Sequence, residues 1–276
     1  LRQAYESYIA SSINNTLQYN SGTAVEFIAT RLQDRIKDSI IVRNQPNDIN
    51  FTALADANYT QVYEMLEWVG ADGDGFRGNS DDTTAPFNKP NWSGIIDLDD
   101  GNNSFLVSPE TNTTKIDALI DVLSYGRRTI DDAALYFIGS DNDIKSGYGW
   151  NRIPITDQNR TMHPINEVAG HPTQFKSANV NFQDVYEYYK LAWTAYAVVF
   201  DPDTNNLLLY YNYQPWNDTN GDGVADTYID GNSSIIMQNV STFQSIAIGS
   251  VVKIQVCAKS NLTKQEYSLC KEKTIF

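Results

Sequence analysis

The stretch Asp218-Thr-Asn220-Gly-Asp222-Gly223-Val224-Ala-Asp226 carries side-chain oxygens at alternating positions around two glycines. That spacing can wrap one hard cation. Asp218, Asn220, Asp222, Asp226 and Asp230 offer side-chain oxygens, Val224 offers its carbonyl, and Gly223 permits the sharp turn calcium loops require. Ile229 stands at position twelve, where helix–loop–helix sensors place a bidentate Glu, so the expected role of calcium is structural. An acidic turn between strands is the plainer alternative. Asp72-Gly-Asp74-Gly75 and Asp97-Leu-Asp99-Asp100-Gly101 are read as turns.

Other chemistry is thinly represented. His163 and His171 flank Glu167, but their spacing beside Pro164 and Pro172 does not give the two-histidine helix face of a zinc protease, so both are read as loop histidines. Gly73-Asp-Gly75-Phe-Arg-Gly78 matches the letters of a dinucleotide fingerprint, yet it follows a helical candidate and opens into loop. No nucleophile elbow or P-loop occurs, and no acid pair stands out among 34 carboxylates. No catalytic residue is assigned.

The 17 tyrosines cluster at Tyr186–Tyr189 and Tyr210–Tyr213, where alternating aromatics read as sheet packing, with a subunit interface or carbohydrate platform as the alternative. Charge excludes one class of partner. With 20 Lys and Arg against 34 Asp and Glu, net −14, no concentrated positive face exists to neutralise nucleic-acid phosphates.

Eleven Asn-x-Ser/Thr acceptors occur, at Asn14, Asn50, Asn58, Asn91, Asn102, Asn112, Asn159, Asn217, Asn232, Asn239 and Asn261. Roughly four or five would arise by chance in so Asn- and Thr-rich a chain. Six of them, Asn50, Asn58, Asn102, Asn112, Asn159 and Asn232, also have an acidic residue two positions upstream. This resembles the extended acidic sequon read by the bacterial oligosaccharyltransferase and implies a periplasmic or cell-surface setting; acid-rich loops are the alternative. Cys257 and Cys270 are the only cysteines. The pair reads as one disulfide in an oxidising compartment, against two unrelated buried thiols.

These residues must be positioned by a framework whose pattern changes along the chain. Over 1–43, Ile9, Ile13 and Leu17 and then Val25, Ile28, Leu32 and Ile36 recur at helical spacing. Asn20-Ser21-Gly22 is expected to kink or break that helix, with Ser21 or Thr23 capping its second half. Residues 44–180 read as a loop-rich region, with helical candidates at Tyr59–Val69 and 115–126 and a strand at Ala133–Ile138. Residues 181–276 read as β: Ala192–Phe200 and Leu207–Tyr213 form a hairpin, followed by Ser234–Asn239, Phe243–Ile248, Val251–Ala258 and Gln265–Phe276. The expected class is α+β, a long N-terminal helix (1–43) packed on antiparallel sheet within a head of 44–276. No apolar stretch is long enough to span a bilayer. The chain opens at Leu1 inside a helical pattern without an initiator Met or signal peptide, so a preceding segment is expected.

In this framework the sequence resembles type IV pilin-like proteins, specifically minor pilins or pseudopilins of the W/J type. The resemblance rests on Ala24–Ser39, matching the exposed helix end that leads into the family's first strand. It also rests on Thr194–Phe200 with Asn206–Tyr210, matching the central hairpin, and on Ile235–Phe243, matching a later strand opening. The resemblance implies a pilin-like α/β roll with a loop-rich insertion, an apolar half-helix preceding Leu1, and a C-terminal region closed by Cys257 and Cys270. It further implies a structural subunit with no catalysed reaction, at the tip of a type IV pilus or type II secretion-like filament and priming its assembly. Its partners would be other minor pilins or pseudopilins, the assembly machinery, and the inner membrane before assembly. A calcium-stabilised surface adhesin or carbohydrate-binding module is the alternative reading.

Overall fold

Three antiparallel sheets organise the chain in the computed structural model, which describes residues 2–58, 60–78, 89–140, 142–152, 161–178, 181–260 and 267–276. The expected α+β class is corrected by this count of sheets: the chain is mostly β, 38% strand against 22% helix. A helix on one sheet, with a loop-rich insertion, does not describe it. The region read as loop holds strands of two to six residues, β2 (Thr52–Ala53), β4 (Asp97–Asn102), β5 (Phe105–Val107), β7 (Met162–Glu167) and β8 (Gln174–Ser177). Strands this short show no clear period of two, and several are created by partners far along the chain, as β5 and β8 are by each other.

The helix α1 (Arg2–Gln33) runs unbroken through Asn20-Ser21-Gly22. The expected break is absent: Ser21 is buried and its hydroxyl bonds back to the Leu17 carbonyl at 2.7 Å within the continuous helix. The helical candidate at Tyr59–Val69 is also corrected. Its second half is strand β3 (Met65–Gly70), whose six residues are all buried, so the apolar run lacks the alternation that marks a half-exposed strand.

The chain divides into two compact units, 1–68 with 197–210 and 233–276, and 69–196 with 211–232. The first unit contains the three-stranded sheet β13 (Val240–Ile248), β14 (Val251–Ser260) and β15 (Tyr267–Ile275), in that spatial order. A period of two along β14 places Val252, Ile254 and Val256 on one face, and Lys253, Gln255 and Cys257 on the other. The apolar face meets Val25, Ile28 and Leu32 of α1, all buried, and Lys273 of β15 reaches Glu26 at 2.8 Å. The polar face carries the disulfide, Cys257 opposite Cys270 in register with Cα atoms 3.9 Å apart.

The second unit is built on the six-stranded sheet β4–β5–β8–β7–β6–β9, where β6 is Ala134–Phe137 and β9 is Tyr189–Ala192. Helix α3 (Thr113–Leu123) supplies Ile116 and Ile120 to a core shared with Leu135, Phe137, Ile165 and Phe175. Asn112 caps α3 by accepting the Lys115 N–H, which satisfies one of the free donors of its first turn. The remaining sheet has the order β12–β11–β10–β3–β1–β2, with β1 Ile41–Arg43, β10 Thr194–Asp201, β11 Asn206–Tyr213 and β12 Asn232–Met237. The expected hairpin at 192–213 is its β10–β11 pair.

Candidate functional site

Asp218 opens the acidic loop by accepting three backbone donors: Gly221 N–H at 2.7 Å and Asp222 N–H at 3.0 Å on Oδ1, and Gly223 N–H at 2.7 Å on Oδ2. Asn220 Oδ1 accepts the Asp222 N–H and Asp222 Oδ1 accepts the Val224 N–H, each at 2.9 Å. Gly221 and Gly223 take φ of 75° and 85°, conformations in which a side chain would be strained. The loop is thereby coiled around the oxygens of Asp218, Asn220 and Asp222, which lie at the surface.

The last two acids turn elsewhere. Asp226 is buried and accepts from the Thr219 N–H at 2.9 Å and the Thr219 hydroxyl at 2.6 Å. Burial pushes its carboxyl above the ordinary range, helped by the nearby Asp230 charge and opposed by the Thr219 bonds. Asp230 accepts from Thr227 through both its N–H and its hydroxyl, and from Asn220 Nδ2 at 3.1 Å. Among the described residues, no three carboxylate, imidazole or thiol groups converge as metal ligands. The donor set is nonetheless all oxygen, as a hard cation demands. Asp218, Asn220, Asp222 and the Val224 carbonyl would be the ligands such an ion meets first, whereas the Asp226 and Asp230 carboxylates are engaged by Thr219, Thr227 and Asn220.

Asp72, read as part of a turn, is a buried acid of the second unit. It caps the short helix α2 (Gly73–Arg77) by accepting the Gly75 N–H at 3.1 Å, and its Oδ2 accepts the Trp92 indole N–H at 3.1 Å. A Cβ on Gly75 would lie within 2 Å of that carboxylate, so any side chain there must displace the Asp72 carboxylate from its place. Burial pushes the Asp72 carboxyl up to about 6 despite these donors. Phe76 packs tilted against Trp92 with ring centroids 4.8 Å apart, and the Trp92 and Tyr189 centroids lie 5.5 Å apart. Neither Asp72 nor its environment is legible locally, because the indole comes from twenty residues away.

The histidines separate. His171 is exposed in a turn, whereas His163 is buried on β7 with its ring 4.8 Å from Phe137, which corrects its reading as a loop residue. The acidic sequons are scattered. Asn50, Asn58 and Asn102 are exposed, Asn112 and Asn232 are half-buried, and Asn159 lies outside the described residues. Asn91, a sequon without the upstream acid, is buried.

The first unit carries a surface groove of about 670 Å³ along α1, lined by Gln18, Tyr19, Glu26, Phe27, Lys271 and Glu272. Tyr19 is 74% exposed and Phe27 39%, while Tyr8 stands 72% exposed nearer the start of the helix. Among the described residues, no helix is long and apolar enough to cross a membrane. Comparison with protein-family models, curated proteins and solved structures finds no match for this chain.

Proposed function

We propose that this chain is the head of a structural subunit, a minor pilin or pseudopilin of a type IV pilus or type II secretion-like filament. The observation that carries the reading is α1. One side of a helix about 48 Å long is anchored through Val25, Ile28 and Leu32, while Tyr8, Tyr19 and Phe27 remain open for lateral contact. Isolated exposed apolar side chains are ordinary, but three large aromatics along one helix suit a subunit interface better than a solvated face. In this reading the partners are other minor subunits and the assembly machinery. The setting is the periplasm and cell surface, with anchorage in the inner membrane before assembly. The chain performs no catalysis, and calcium at Asp218, Asn220, Asp222 and Val224 serves to stiffen the 218–226 loop.

The test is the mature N-terminus of the full-length protein purified from its native membrane, determined by mass spectrometry. A methylated residue opening roughly 20 apolar residues with an early Glu supports the reading. A signal-peptidase scar just before Leu1 overturns it and favours a calcium-stabilised adhesin.

A further inference from the structure

The Asn-x-Ser/Thr acceptors among the described residues differ sharply in the partners of their amides and hydroxyls. Asn58 is exposed, and its Oδ1 accepts both the Thr60 N–H at 3.0 Å and the Thr60 hydroxyl at 2.8 Å. Its own N–H donates to the Tyr63 hydroxyl at 3.2 Å, which ties the acceptor to a buried ring of the first unit. No described residue pairs with Nδ2, so the amide nitrogen is the group left to solvent.

Elsewhere the same motif is spent on folding. Ser93 shares its hydroxyl hydrogen bond with Ser108, and its Asn91 is buried. Ser104 donates to Asn181, Thr16 to the Ser12 carbonyl, Thr219 to Asp226 and Ser241 to the Cys257 carbonyl. Asn112 Oδ1 is the cap of α3, and Asn232 Oδ1 accepts from Asn212. Asn50 is exposed, but among the described residues no bond joins its amide to the Thr52 hydroxyl. Asn102, exposed and preceded by Asp100, accepts the Ser104 N–H at 2.8 Å but not the Ser104 hydroxyl. Among the described acceptors the hydroxyl bond occurs at Asn58, which has Asp56 two positions upstream.

We propose that Asn58 is the position at which the folded protein receives an N-linked glycan, with the Thr60 hydroxyl holding the side-chain amide ready for transfer. This inference is independent of the filament reading. The Thr60 hydroxyl on Oδ1 polarises the amide and makes the Nδ2 protons more acidic. Nδ2 attacks the anomeric carbon of a polyprenyl-diphosphate-linked oligosaccharide. The carbon–nitrogen bond forms as the bond from that carbon to the diphosphate oxygen breaks. One amide proton passes to a base of the transferase, and polyprenyl diphosphate leaves with the electron pair. Nothing is oxidised or reduced.

The experiment incubates the purified folded protein with a bacterial oligosaccharyltransferase that reads acidic sequons and a lipid-linked oligosaccharide, and maps occupancy by peptide mass spectrometry. In a parallel reaction the unfolded chain is represented by its reduced and alkylated proteolytic peptides, each carrying one acceptor. The expected result is modification of Asn58 in the folded protein at about fivefold or more the level of Asn50, Asn102, Asn112 and Asn232, the ratio one hydrogen bond supplies. That preference should collapse in the unfolded chain, and Thr60→Ser should retain it. An unmodified Asn58 in the folded protein overturns the proposal whatever happens to the unfolded chain. So does an equal ranking of sites in both states. Neither result bears on the mature N-terminus, so failure here and failure of the filament reading are separately visible.

Discussion

Trp92 donates its indole N–H to Oδ2 of Asp72 at 3.1 Å, holding an acid that is only 4% exposed within the second unit. The carboxyl is pushed up to about 6 by burial, with the neighbouring Asp74 charge adding to the effect. Between the ordinary value of 3.8 and about 6 the folded chain therefore binds more protons here than the unfolded one. This group's contribution to stability falls as pH rises through that window and is constant above it, a loss of roughly 2–3 kcal/mol. Urea unfolding of wild type and Asp72→Asn at pH 4, 5, 6 and 7 should give curves that diverge across this range. Parallel curves would show that Asp72 does not titrate there.

A second buried charge behaves differently because it is paired. Arg43 of β1 meets Glu67 of β3 at 2.7 Å with both side chains almost fully buried, and also donates to the carbonyls of Asp48 and Ile49. Arg43→Met or Glu67→Leu alone should cost about 3–5 kcal/mol by stranding a buried charge. The double variant should cost clearly less than the sum of the two. Additive costs in chemical denaturation would contradict this coupling.

The disulfide closes a sequence separation of 13 between neighbouring strands. Cys257→Ser with Cys270→Ser should lower stability by about 3 kcal/mol, chiefly by freeing the unfolded chain. The β14–β15 register should survive, because eight further residue pairs hold it. Equilibrium unfolding measures the first effect and amide exchange the second.

Calcium should raise the melting temperature of the full chain, and Asp218→Ala or Asp222→Ala should remove that increment. Asp218→Ala should also destabilise the calcium-free protein, since its carboxylate accepts three backbone donors. Calorimetry with calcium, with magnesium and with chelator separates the two effects. An unchanged melting temperature with calcium would remove the cation from the account.

Tyr19→Glu places charge on the open side of α1, where substitution should change stability by no more than about 0.5 kcal/mol. Phe27 is partly covered and has Arg31 5.6 Å over its ring, so Phe27→Glu should cost about 1 kcal/mol. Both should nevertheless impair filament assembly in cells. Normal assembly by the double variant would exclude this side of the helix as the lateral contact.

Features with a local cause were legible in the residues themselves. The helical spacing of Val25, Ile28 and Leu32 identifies the buried side of α1. Branched and aromatic runs around Asp201–Asn206 mark the β10–β11 hairpin, because a turn and its flanking strands lie within one short segment. The cysteine pair needs only two thiols thirteen residues apart to suggest a closed loop.

Tertiary structure decided what depends on distant partners. The burial of Met65–Gly70 from end to end erases the alternation that would have named β3 a strand. Short strands such as β8 acquire their ladders only when β5, some seventy residues earlier, and β7 lie alongside. Asn58 and Asn91 carry the same short motif, yet one offers an exposed amide braced by Thr60 and the other lies inside the second unit. A sequence states which donors, acceptors and apolar groups exist and how they repeat along the chain. Which of them lose water, and which remain free for chemistry, is set by contacts between residues far apart in sequence, and those exist only once the sheets have formed.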